Sequence, residues 1–269
     1  MDTAILLGLA SVILAGSVFS SLGYVLTISQ TLVFAVELVH SLVAAALFGA
    51  LIEAATGVVP MQLVIFLYSM SISSLVAELV RKNVPRDSVV AFTASLSAVV
   101  TIASLWGLIY VTPLGVSRAL GALWGSILLV TPSDLTYLAI VVIAVVTVIV
   151  FFDLEFKYIS FDPDLATASG LNVRAYYYLI YATTSISLSA TVKIYGSVLA
   201  SVLVVLPSIT AQYVFKRVEL PIYLVSGLTI STIGYLVSLM LNTQTSLCVG
   251  VISLAVVTLG VTLRWLYGR

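Results

Sequence analysis

Two residues in the second apolar run of the sequence could do chemistry together. Glu37 and His40 stand three apart, so on a helix they share one face. If that run begins near residue 31, His40 lies about 13 Å along the helix axis, close to the middle of an apolar layer about 30 Å thick. A carboxylate and an imidazole at that depth are costly unless they face a partner, a cavity or an ion. Imidazole suits zinc, iron, nickel and copper, and carboxylate also suits manganese. Three readings stay open: transient ligands of a divalent cation, a proton or cation relay, and a structural Glu–His hydrogen bond between helices.

The other polar residues are plainer. Glu53, near the far end of the same run, reads as a solvated interfacial group. Glu78 is followed by Arg81 and Lys82, which predicts a surface ion pair. Asp87 suits a helix N-terminus, and Lys193 can snorkel to water from the end of its span. Pro207 lies inside an apolar run and predicts a kink, either a packing feature or the border of a pathway. No GxxxxGK[ST] occurs, and one His with one Cys (Cys248) leaves no legible catalytic set, disulfide or CxxC site.

The elements that must position these residues follow from composition. The chain is 61% hydrophobic and 8% charged with zero net charge, where soluble domains carry roughly 25% charged residues. The fold class is all-α, a polytopic membrane protein. Nine runs are long enough to cross: 4–27, 31–55, 60–80, 88–112, 134–152, 175–192, 196–215, 220–241 and 245–264. The first reads as a retained span, since no positive stretch precedes it. Residues 119–130 fit a re-entrant piece, and Gly121 with Gly125 could allow close helix contact. Tyr176, Tyr177 and Tyr178 read as interfacial anchors.

One polar interruption, 153–174, cannot lie in hydrocarbon. Placing it inside the cell puts Arg81, Lys82, Arg86, Lys157, Arg174, Lys216, Arg217, Arg264 and Arg269 inside and only Arg118 and Lys193 outside. The N-terminus is then outside and the C-terminus inside.

Within that interruption, Phe161-Asp-Pro-Asp-Leu-Ala166 with Gly170 resembles the coupling segment of ABC-type metal-ion permeases for zinc, manganese and iron. The stretch from Val192 to Ala211, with its Gly, its Leu/Val run and Pro207-Ser-Ile-Thr-Ala, is similar to the same family. So are Leu123-Trp-Gly-Ser126, Thr131-Pro-Ser-Asp-Leu135 and Arg86-Asp-Ser-Val89. The resemblance implies one permease domain over 1–269, in the plasma membrane of a prokaryotic cell, that is not itself an enzyme. It implies two permease copies, a separate cytoplasmic ATPase and an external solute-binding protein. The short helix around Asp164 would sit on the ATPase, with Asp162, Asp164, Ala166 and Gly170 as its docking residues. No cofactor is implied; a divalent metal ion is the cargo, with Glu37 and His40 as its transient ligands and Pro207 on its path.

The departures are specific. Where the family has Asp in the second span this chain has Val36 beside Glu37. A family His falls near Ser95, and a family Asp near the last span is Asn242. An ATPase-independent secondary transporter or channel, with Glu37 and His40 as relay, is the alternative; a membrane scaffold and an intramembrane enzyme are others.

Overall fold

The structure, a computed structural model, describes residues 2–111, 125, 127 and 130–267. Its described residues form helices and no strands: α1 (Asp2–Ile28), α2 (Leu32–Thr56), α3 (Met61–Arg81), α4 (Arg86–Val111), α5 (Pro132–Phe151), α6 (Asp153–Phe161), α7 (Pro163–Ala168), α8 (Val173–Ile209), a π-helical turn (Thr210–Phe215), α9 (Leu220–Leu241) and α10 (Thr245–Tyr267). Hydrocarbon cannot hydrogen-bond a backbone, so long apolar runs satisfy themselves as helices. Among the described residues seven helices are long and apolar enough to cross a membrane.

The expected spans 175–192 and 196–215 are not separated by a loop. They lie in one helical run through α8 and the π-helical turn, broken inside at Gly196, where φ is 70° and ψ 168°. That glycine turns the chain without a connecting segment. Gly125, itself at φ +68°, lies against the break, and a Cβ there would sit 2.3 Å from the Tyr195 carbonyl carbon. Close backbone contact is therefore present at Gly125. The rest of the proposed re-entrant piece, apart from Ile127 and Val130, lies outside the described residues.

Small residues also set the helix packing. α1 lies on α9 and α8, α2 on α4 and α3, and α3 on α8. A Cβ on Gly227 would meet the Gly16 carbonyl at 2.8 Å, and one on Gly23 would meet the Val204 carbonyl at 2.5 Å. Without a hydrophobic driving force between helices in lipid, such close approach supplies the van der Waals attraction. Most buried hydroxyls donate to the carbonyl one turn back, as Ser69 does to Ile65 and Thr184 to Ile180, so they need no partner across helices.

The polar interruption is mostly helical. α6 follows α5 directly, and Asp162 caps α7 by accepting from the amides of Asp164 and Leu165 at 3.0 and 2.9 Å, with Pro163 at the first helical position. Gly170, at φ +88°, closes this element with open space around it.

Candidate translocation site and coupling element

Glu37 is 2% exposed on α2. Its Oε1 accepts a long hydrogen bond, 3.4 Å, from Ser97 on α4, and its Oε2 has no partner. Ser97 thus departs from the back-bonding pattern and turns toward the carboxylate. Thr93, one turn earlier on α4, flanks the same group, but its hydroxyl is spent on the Val89 and Val90 carbonyls. Tyr68 on α3 brings a hydroxyl beside Ser97 and Glu37; that oxygen is buried and also unpartnered. Neither Tyr68 nor Ser97 stands out in the sequence, where a lone Tyr or Ser on an apolar helix carries no signal.

His40 is exposed and makes no hydrogen bond to Glu37, so the two are placed one turn apart with different surroundings. Among the described residues no three His, Cys, Asp or Glu side chains converge. Ser95, the position aligned with a family His, is exposed and bonds back to Ala91; the α4 residues that reach Glu37 are Thr93 and Ser97. Asn242 ends α9 at φ 51°, a left-handed cap that asparagine tolerates. Pro207 is buried one turn before the π-helical segment, and its neighbours Val204 and Ser208 pack on Gly23 of α1.

One turn from Glu37, Phe34 meets Tyr181 of α8 edge-on with ring centroids 5.5 Å apart. The pair lines a cavity of about 120 Å³ with Gln30, Thr31 and Arg86. Arg86 bridges to Gln30, donating to its carbonyl and side-chain oxygens at 3.0 and 3.2 Å. At the opposite end a larger cavity, about 370 Å³, lies between α3, α5 and α8, lined by Gln62, Asp134, Tyr137 and Ser189 among others.

The Arg86 end of the molecule also carries α6 and α7. Tyr24 of α1 donates to Asp153, Lys157 pairs with Asp153 at 2.7 Å, and the Lys157 ammonium lies 5.8 Å from the Tyr24 ring centroid. The Asp153 carboxylate and then the Tyr24 hydroxyl push the Lys157 pKa up. Tyr176 packs on Phe152 and Phe156, and Tyr178 donates to Glu78 at 3.2 Å. Two of the three tyrosines read as anchors therefore also join helices. Glu78 pairs with Arg81 and Lys82 at 2.5 and 3.7 Å, as expected. Glu53 is not merely solvated; it accepts from the Met61 amide at 2.7 Å and caps α3. The side chain of Lys193 lies outside the description.

On α7, Asp164 and Gly170 are exposed, Asp162 is half-buried as the cap, and Ala166 is fully buried. Ala166 seats the helix on the bundle. The outward face is Asp164, Leu165 and Thr167, with Phe161 beside it 87% exposed and Leu154 on α6 77% exposed.

A family model, that of the ABC 3 transport family, matches residues 1–264. The chain belongs to the ABC 3 transport family. Relatives within reach include the manganese transport system membrane protein MntC of Listeria innocua, 33% identical over 123 residues, which is 45% of this chain and 44% of that protein. The high-affinity zinc uptake system membrane protein ZnuB of Haemophilus influenzae is 26% identical over 90 residues, 34% of each chain. These matches span less than half the length of either relative. A solved structure of PsaBC from Streptococcus pneumoniae in complex with Fab aligns at TM-score 0.72 with 15% identity, covering 94% of this chain and 89% of that one. This ABC 3 family member thus shares its helical fold with PsaBC and is a multi-pass membrane protein.

Proposed function

We propose that the chain is the membrane permease of an ABC importer for divalent metal ions, with zinc, manganese and iron as the class of cargo, and that it catalyses no reaction of its own. The family match over residues 1–264 carries this reading. It is supported by the exposed face of α7 among charged residues and by a buried carboxylate oxygen with no protein partner. The whole chain acts as one domain. The α6–α7 end faces the cytoplasm, where a separate ATPase grips Asp164, Leu165 and the turn at Gly170. An external binding protein delivers the ion at the other end, and a second copy of the chain completes the transporter. His40, an exposed imidazole on an apolar helix, faces a watered path or that second copy, because lipid would make it costly. The ion passes His40 and Glu37 in turn, and Pro207 with its π-helical turn lets α8 flex as the bundle rocks.

Reconstitution tests this. Vesicles holding the chain with its ATPase should take up manganese, zinc or iron only with ATP inside the ATPase compartment. Equal uptake by the chain alone, driven by an ion gradient, would make it a secondary transporter.

A further inference from the structure

We propose that Tyr68 and Ser97 join Glu37 as ligands of the ion in passage, so that this step holds its cargo through oxygen alone and favours manganese over zinc. The proposal rests on the permease reading above and adds the composition of the site. Three helices, α2, α3 and α4, each bring one oxygen-bearing side chain to the same place. Glu37 is 2% exposed with Oε2 unpartnered, and the buried Tyr68 hydroxyl, next to Ser97, is unpartnered too. Buried polar atoms are nearly always paired in native proteins, so two lone oxygens on either side of the Ser97 hydroxyl call for a partner. A cation satisfies both, because carboxylate and hydroxyl oxygens present lone pairs to it at once. Ser97 fits the same role: among hydroxyls that back-bond to their own helices, its own is held only loosely, at 3.4 Å, by Glu37.

The donor set has a chemical consequence. Carboxylate and hydroxyl oxygens suit manganese, whereas zinc gains most from imidazole and thiolate. His40 is exposed and unbonded to Glu37, so the softer donor is outside this step. One carboxylate among neutral oxygens also gives weak binding, which suits an ion that must leave again.

The test uses the assembled transporter in vesicles, with manganese and zinc uptake measured side by side. Ser97→Cys replaces an oxygen by a sulfur of nearly the same size and should raise zinc uptake relative to manganese about tenfold. Tyr68→Phe should raise the half-saturating manganese concentration about tenfold. Ser97→Thr, which keeps the oxygen donor, should show no such gain of zinc uptake. The gain of zinc uptake in Ser97→Cys cannot come from misfolding. If wild-type vesicles carry manganese but neither Ser97→Cys nor Tyr68→Phe alters selectivity or half-saturation, the ligand assignment is wrong. If the wild type carries no metal at all, the permease reading fails and takes this one with it.

Discussion

Replacing Asp153 by Ala should loosen α6 from α1. The Tyr24 side chain is 1% exposed and its hydroxyl donates to Asp153. A buried donor left without its acceptor costs about 1–3 kcal/mol. The Lys157–Asp153 pair, with side chains 43% and 26% exposed, adds only about 0.3–0.5 kcal/mol. A combined loss of about 2 kcal/mol raises the population of undocked α6 roughly thirtyfold. Hydrogen exchange on the transporter in lipid nanodiscs reads this directly: amides of residues 157–161 should exchange roughly thirtyfold faster. Asp153→Asn keeps an acceptor for Tyr24 and loses the ion pair, so its exchange should stay within about threefold of wild type. Uptake per ATP hydrolysed should fall in the Ala variant, because the element between the exposed face of α7 and the bundle is no longer held. Equal exchange in the Ala and Asn variants would show that Tyr24 does not fasten α6, and the reasoning would fail.

Other outcomes follow from single contacts. Gly125→Ala would push a Cβ to 2.3 Å from the Tyr195 carbonyl carbon at a positive φ; the left-handed conformation alone costs about 1–2 kcal/mol, so the melting midpoint in detergent should drop by several degrees. Glu37→Gln removes the carboxylate of the proposed site, and metal uptake should fall at least about tenfold with ATPase binding intact; normal uptake would remove Glu37 from the path. Gly170→Glu places a side chain and a charge where the chain turns at φ +88° with nothing around it; the bundle should remain folded while ATP hydrolysis uncouples from uptake.

Much of the architecture is legible in the sequence because hydrocarbon allows few alternatives. Apolar runs of span length had to be helices, and Asp162-Pro163 announces the α7 cap by residue type alone. The break at Gly196 falls where the sequence expects one span to end and the next to begin, but the absence of a loop there is not legible, since it depends on the backbone of Gly125 lying against the turn. Ala166 matches the family motif, yet one small residue cannot say whether it faces a partner or the bundle, and here it faces the bundle. Glu37 stands out as a charge in an apolar run. Tyr68 and Ser97 do not, because their meaning comes from three helices converging. The Tyr24–Asp153–Lys157 network joins residues far apart in sequence, and no local pattern marks such a contact.

The sidedness and occupancy of α7 bear most directly on the whole account. A chain with Cys248 replaced by Ser and a single cysteine at Leu165, which is 48% exposed, can be challenged in intact cells. No reaction is expected with a membrane-impermeant thiol reagent from outside, and a cross-link to the ATPase is expected from within. Labelling from outside with no cross-link would contradict it.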